Sequence, residues 1–431
     1  MVERIGDDVR MHPVGPLHGS VRPPGSKSLT NRYLLCAALT DGVSTLRGVT
    51  VSEDVQAMMG GLGALGFRVE TDEAHGDVRV RGENGRLPAD DADIDAGNAG
   101  TAMRFLAALA CVGYGRYRLD GSPRMRARPI GALVGALQQL GSGIGYEGRE
   151  GFPPLTIDAR GLRGGAVRFA RPPSSQFISA LLMVAPYAGD DVLIEVAGGA
   201  PSAPYIDMTL SVMQSLGVEA LTVDRTRFVV PAPQRYRAAS VDIEPDASAA
   251  TYFWAAAAIT GGSVRVGGLT RGSRQGDVGF VEVLRQMGCE VAEGPDFLAV
   301  RGPGVGKLHG IDVDLNAMPD TVQTLAVVAL FADEPTRIRN VANLRLKETD
   351  RLAALGHELS RLGALVELQE DGLTITPPHR VTPAAIETYN DHRMAMSFAL
   401  AGLAADGVVI RNAGCVRKSF PTFFETLSTL E

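Results

Sequence analysis

The chain has little with which to build a secreted, membrane-bound or nucleic-acid-binding protein. Its 431 residues include four cysteines, Cys36, Cys111, Cys289 and Cys415, spread far apart and without a C-x-x-C pair. That usage excludes a disulfide framework and fits small buried thiols in a reducing compartment. Basic residues are outnumbered, 42 Lys and Arg against 49 Asp and Glu, giving a formal net charge of −7. No general positive field exists to draw in nucleic acid or an anionic membrane, so any anion site must be a local cluster. The longest apolar runs, such as LAVVALFA at 325–332, are far too short to span a bilayer. The opening stretch, MVERIGDDVRMHPVG, has acids and no apolar core, unlike a signal peptide, and lacks the Ser and Arg bias of a transit peptide. A cytoplasmic protein without nucleic-acid or membrane partners is expected.

A nucleotide loop is also missing. GSKS at 25–28 opens an apolar run, but Ser26 stands where a Walker loop has its second Gly, and the stretch before it, with Arg22, has no Gly where the first should be. What remains is a lysine and two hydroxyls at a helix start, a generic anion site. Histidine offers no metal site either. His392 is the one His inside a motif, and neither H-x-H nor H-E-x-x-H occurs, so neither a metal nor a cofactor is expected.

What is present is a repeat. Six segments begin at Ser26, Asn98, Ser174, Asp246, Asp320 and Asp391, 71 to 76 residues apart. Each reads as a polar cap followed by an apolar helix. A second helix in each interval ends on Leu-Gly or Met-Gly, at Gly66, Gly141, Gly217, Gly288 and Gly363; FETLSTLE closes the chain without its Gly. Short β-type runs follow, so each unit reads as helix, strand, helix, strands, used six times. For Asp246, Ser248 and Thr251 plain capping explains the polar residues. Three units also carry a cation just behind the cap: Lys27 and Arg32, Arg104, and Arg393. Cations oppose the helix dipole there, which points to an anionic ligand between them and the backbone N–H groups.

The motifs SKSLTNR, GNAGTAMR, RMRARP, SSQF, DASAATYF, NLRLKETDR, NDHRMAM and KSFPTFF, in this order along nearly the whole chain, resemble the 5-enolpyruvylshikimate-3-phosphate synthase family. The resemblance implies an α/β fold of two similar domains, each of three βαβαββ units with helices buried and sheets outside. One domain would comprise residues 1–25 and 245–431, the other 26–244, with the active site in a cleft that closes on ligand. It implies an enzyme, a monomer, that transfers the enolpyruvyl group of phosphoenolpyruvate to the 5-hydroxyl of shikimate 3-phosphate and releases phosphate. It also implies that glyphosate binds in the phosphoenolpyruvate pocket.

Both substrates carry a phosphate and a carboxylate, for which bidentate Arg and point-charge Lys are natural partners. The resemblance places Arg128, Arg351, Arg393 and Lys418 on phosphoenolpyruvate, with His392 and backbone groups at Asn98 and Gly100. It places Ser174, Ser175 and Ser202 on the shikimate phosphate, and Ser28 and Arg32 at the ring, Arg32 on its carboxylate. Lys27 and Gln176 lie beside both substrates. Asp320, Asn343 and Lys347 contact the shikimate hydroxyls or phosphate. Glu348 and Asp320, with Lys27 in support, are the acid and base candidates; on one helix, Glu348 and Lys347 would share a face with Arg351. Met394 and Met396 are expected in the core.

Two other readings stay open. A UDP-N-acetylglucosamine enolpyruvyl transferase would have Lys-Asn in place of Lys27-Ser28 and a loop cysteine near the arginines. A non-catalytic ring of repeats would use interior arginines on nucleic acid. Two positions depart from the family pattern: Ala203 in place of a basic residue, and Phe105 where many members have proline.

Overall fold

A computed structural model describes residues 1–72 and 75–430. The chain forms two compact units: Gly25–Ile243 is continuous, while Met1–Pro24 joins Glu244–Glu431 in a discontinuous one.

The helices of the continuous unit are α1 (Lys27–Leu39), α2 (Glu53–Ala64), α3 (Gly100–Ala110), α4 (Gly131–Gln139), α5 (Ser175–Val184) and α6 (Ala203–Ser215). The repeat-opening helices α1, α3 and α5 pack on one another. Their sequences require it. From Leu29 to Leu39 every residue of α1 is buried, as is every residue of α3, because a helix apolar on all sides has no face for water. Three four-stranded sheets surround them. In each, the strand after an odd helix (Asp41–Arg47, Tyr114–Asp120, Val192–Val196) lies between one parallel and one antiparallel neighbour. The strand Asp77–Glu83 alternates buried and exposed residues, the pattern of a sheet with one face on the core and one in water. Its neighbour Asp41–Arg47 takes its parallel partner from Ser240–Asp242, so the end of the unit completes the first sheet.

The discontinuous unit repeats this plan with α7 (Ala247–Thr260), α8 (Phe280–Gln286), α9 (Val322–Val328), α10 (Arg351–Arg361), α11 (His392–Ala401) and α12 (Phe423–Leu427). All fourteen residues of α7 are buried. Hydroxyls tie its three central helices together: Thr251 lies 3.2 Å from Thr324, and Thr324 3.4 Å from Ser397. The N-terminal strands finish the sheets here. His18–Val21 runs parallel to Ser263–Gly267, and the hairpin of Val2–Ile5 with Asp8–Met11 adds to Val408–Ile410.

The second-helix glycines serve as expected: Gly66, Gly141, Gly217, Gly288 and Gly363 have φ between +84° and +99°, the left-handed cap that favours Gly. The first-helix caps need correcting. Ser26, Ser174, Asp246 and Asp391 accept from helix N–H groups. For α3 the cap is Ala99, not Asn98, and for α9 it is Thr321, neither making a side-chain cap bond. Asp320 is drawn into ion pairs, and a 3-10 turn, Pro319–Thr321, opens that helix. Ser248 does not cap α7 either; its hydroxyl donates to Asp277. Met394 and Met396 are buried, as are all four cysteines, which are free thiols. No helix of the described residues is long and apolar enough to cross a membrane.

Candidate active site

In the discontinuous unit, most of the charged residues singled out from the sequence fall into one network. Asp320 Oδ1 lies 3.3 Å from Arg351 Nη1 and 3.7 Å from Lys347 Nζ, and its Oδ2 is 2.8 Å from Arg393 Nη2. Glu348 lies between Arg351 Nη2 at 2.9 Å and Lys418 Nζ at 3.7 Å. Arg351 has 1% of its side chain exposed and also grips Asp391, Nε to Oδ2 at 2.7 Å and Nη2 to Oδ1 at 3.2 Å. Burial works against the Arg351 charge, but Asp391, Glu348 and Asp320 outweigh it and hold the guanidinium above its ordinary pKa. Asp391 in turn caps α11 by accepting from Arg393 N at 2.9 Å, and His392 Nδ1 lies 3.5 Å from Asp391 Oδ1. Four cations and three carboxylates thus share one buried patch, and each cation is oriented before any ligand arrives.

The helix expected across KETDR starts later. Asp350 caps α10 by accepting from Ala353 N at 3.0 Å, so Arg351 is its first residue and Lys347 and Glu348 precede it. The Glu348–Arg351 pair forms all the same. Asn343 sits in the 3-10 segment Ala342–Leu346, and its buried Oδ1 has no hydrogen-bond partner. It is not joined to the network by a hydrogen bond.

The continuous unit gathers its residues in smaller groups. Lys27, first in α1, pairs with Asp54 at 3.0 Å. Arg32, 2% exposed, donates to Thr209 Oγ1, the Ser28 carbonyl, Ser179 Oγ and the Tyr205 carbonyl. All four acceptors are neutral, and burial pulls this guanidinium down to about 10. Phe105 lies against it, with Arg32 Cζ 5.5 Å from the ring centroid; the residue that departs from the family pattern supports a buried cation through its π face.

Arg128 is 4% exposed, and its Nε and Nη1 have no hydrogen-bond partner. Its guanidinium sits over Gly100: a Cβ there would lie 2.6 Å from Nη2. Arg104 holds this corner by donating to the Gly100 carbonyl at 3.1 Å and the Pro129 carbonyl at 3.2 Å. Gln176 Nε2 reaches Thr101 at 3.2 Å, linking α5 to α3 beside half-buried Asn98. Ser174 caps α5 and Ser175 is its first residue, buried; Ser202 is buried at the start of α6 with φ +49°.

These contacts refine the helix-dipole argument. Lys27 and Arg393 have carboxylate partners, Asp54 and Asp320, that offset the unfavourable dipole without a ligand. Arg32 and Arg128 do not owe their place to such a partner. Unmatched buried guanidinium groups are costly, and an anion is the kind of group that would match them. Sequence reasoning missed Asp54 and Asp277, and read Asp391 only as a cap. Asp54 lies 27 residues beyond Lys27, with no local signal linking them. Asp277 is fully buried, and burial, then the Asp320 charge, push it up to about 6. Among the described residues no group of His, Cys, Asp and Glu is arranged to hold a metal ion.

Comparison with known proteins covers nearly the whole chain. The family model described as EPSP synthase (3-phosphoshikimate 1-carboxyvinyltransferase) matches residues 11–427. A 3-phosphoshikimate 1-carboxyvinyltransferase from a Nostoc species is 49% identical over 409 residues, covering 95% of this chain and 96% of the relative. One from Shewanella pealeana is 45% identical over 426 residues, covering 98% and 99%. A solved structure of EPSP synthase from Acinetobacter baumannii superposes with a TM-score of 0.81 at 24% identity, covering 98% of this chain and 99% of that one, which supports the fold. The chain belongs to the EPSP synthase, or 3-phosphoshikimate 1-carboxyvinyltransferase, family.

Proposed function

We infer that this protein transfers the enolpyruvyl group of phosphoenolpyruvate to the 5-hydroxyl of shikimate 3-phosphate and releases inorganic phosphate, a step toward the aromatic amino acids. Family membership supports the reaction. The observation that carries the assignment of residues is Arg128: a guanidinium 4% exposed, with two nitrogens lacking partners, is poised for an anion.

Arg128, Arg351, Arg393 and Lys418 hold the phosphate and carboxylate of phosphoenolpyruvate, aided by His392 and the backbone at Asn98 and Gly100. Arg32 takes the shikimate carboxylate, displacing neutral acceptors it uses meanwhile, with Ser28 at the ring. Ser174, Ser175 and Ser202 take the shikimate phosphate, and Asp320, Asn343 and Lys347 its hydroxyls or phosphate. Lys27 and Gln176 serve both substrates. One reaction therefore draws on residues of both units, and we assign the two units as its two domains, acting as a monomer in the cytoplasm. Four free, buried thiols suit that compartment.

The chemistry is addition followed by elimination. The 5-hydroxyl oxygen bonds to C2 of phosphoenolpyruvate, its proton leaves to a base, and C3 gains a proton to become a methyl group. C3 then loses a proton, the double bond re-forms and the C2–O bond to phosphate breaks. Glu348 and Asp320, each fixed by two or more cations, move these protons, with Lys27 in support. Such general acid–base help is worth roughly a hundredfold to ten-thousandfold.

The rival reading, UDP-N-acetylglucosamine as acceptor with a loop cysteine, fits poorly. Cys111 is buried in the last turn of the α3 region, donates to the Ala107 carbonyl at 3.2 Å, and is pushed by burial up to about 12. Phosphate release from phosphoenolpyruvate distinguishes the two. Turnover with shikimate 3-phosphate and none with UDP-N-acetylglucosamine is expected; the reverse pattern refutes the proposal.

A further inference from the structure

We propose that Glu358 and Tyr389, which carry no charge to a substrate, are positioning residues that set the register of the phosphoenolpyruvate-binding cations through a left-handed turn. The inference rests on the reading that Arg351, Arg393 and Lys418 hold phosphoenolpyruvate.

The turn runs from Thr388 to Asp391, closed by Asp391 N donating to the Thr388 carbonyl at 2.8 Å. Both central residues have positive φ, +54° at Tyr389 and +54° at Asn390. A turn of that kind prefers Asn-Gly, and a bulky aromatic residue is disfavoured in it. Such a backbone persists when its surroundings over-determine it, and it commonly lies beside a functional site. Asp391, the last residue of the turn, caps α11 and grips Arg351, so its place fixes His392 and Arg393 as well.

The restraint comes from α10. Glu358, in the middle of that helix, is fully buried, and its carboxylate accepts from Tyr389 OH at 2.8 Å and from Glu387 N at 3.2 Å. Arg361 pairs with it at 3.0 Å. Burial and the Glu358 carboxylate push the Tyr389 phenol up to about 12, so it remains a donor at neutral pH. Helix α10 thus holds the turn twice, by Arg351 on Asp391 and by Glu358 two turns later on Tyr389. On its other side Asn390 Oδ1 accepts from Asn412 Nδ2 at 3.3 Å. Asn412 has φ +47° and opens the 3-10 segment Ala413–Lys418, which ends on Lys418. Three left-handed residues and one buried carboxylate therefore lie behind His392, Arg393 and Lys418, and touch none of them through a charge.

Tyr389 is 40% exposed, so Tyr389→Phe removes the hydroxyl and little packing. Steady-state phosphate release at saturating shikimate 3-phosphate, shikimate 3-phosphate binding by calorimetry and thermal unfolding are measured for Tyr389→Phe, Glu358→Gln, Asn390→Gly and Asn390→Ala. In Tyr389→Phe and Glu358→Gln the KM for phosphoenolpyruvate should rise about fivefold or more, with shikimate 3-phosphate affinity unchanged. Asn390→Ala should raise it further than Asn390→Gly, since Gly takes positive φ freely. A merely structural role would lower the active fraction and kcat but leave KM alone. An unchanged KM in Tyr389→Phe, or equal KM for the two Asn390 variants, overturns the proposal even if Glu358→Gln does not fold. Arg393→Ala separates the two levels. If it raises KM while Tyr389→Phe does not, the positioning role alone fails; if it leaves KM unchanged, the cation assignment fails and the positioning role with it.

Discussion

Arg128 shows how a single glycine governs the place of a buried guanidinium. A methyl at position 100 would lie 2.6 Å from Arg128 Nη2 and 2.9 Å from its Cζ, too close for any real Cβ contact, so the guanidinium has to withdraw. Gly100→Ala should therefore raise the KM for phosphoenolpyruvate and weaken inhibition by glyphosate, which we propose competes for the same place. Inhibition curves for the wild type and the variant check this, and an unchanged inhibition constant counts against the contact. Asp277 supplies a second test, through pH. Below pH 3.8, its ordinary value, the group is protonated folded or unfolded and has no effect on stability. Between there and about 6 the unfolded chain alone ionises, so folding stability falls as pH rises, and the loss is complete above about 6. Asp277→Asn escapes this loss and can still accept from Ser248. Urea unfolding from pH 4 to 8 should show the variant gaining on the wild type as pH rises, by about 3 kcal/mol or less. A constant difference would mean that Asp277 is ionised throughout.

At the scale of the element, helix starts decide where the chemistry sits. Four central helices announce themselves in the sequence because a cap residue is followed within one or two polar positions by an apolar run. The α3 start was misread since Asn98 is not its cap; Asp95 accepts from Gly97 N and shapes that turn instead. The α9 start was misread since a carboxylate held by Arg351 and Arg393 is not free to cap. In KETDR the charge pattern correctly paired Glu348 with Arg351, but Asp350 is the better cap and moves the helix start past Glu348. Asp350→Ala should cost about 1 kcal/mol. That corresponds to a fall in Tm of roughly 2–4 °C for a unit of this size. Calorimetry of the variant checks it; no change would mean that the Arg345–Asp350 contact at 3.1 Å and the cap contribute nothing.

Across the whole molecule, the sixfold repeat was legible because each unit opens on a polar residue before an apolar helix and five of the six end their second helix on a glycine. What joins distant segments was not. Nothing local in Val2–Ile5 or His18–Val21 tells that they complete sheets begun near Val408 and Ser263, and nothing in SEDV marks Asp54 as the partner of Lys27. Glu358 looks like one acid on an amphipathic helix until burial shows it holding Tyr389. The chemistry, however, is a claim about protons, and it can be read directly. If C3 of phosphoenolpyruvate becomes a methyl group and then loses a proton, turnover in deuterium oxide with shikimate 3-phosphate must place deuterium in the methylene of the product. Mass spectrometry of that product is the measurement. The account predicts deuterium in the wild-type methylene and, for Glu348→Gln, turnover slowed by roughly a hundredfold or more with both substrates still bound. A product formed at full rate without deuterium would contradict addition–elimination, and unimpaired turnover in Glu348→Gln would remove that carboxylate from the mechanism.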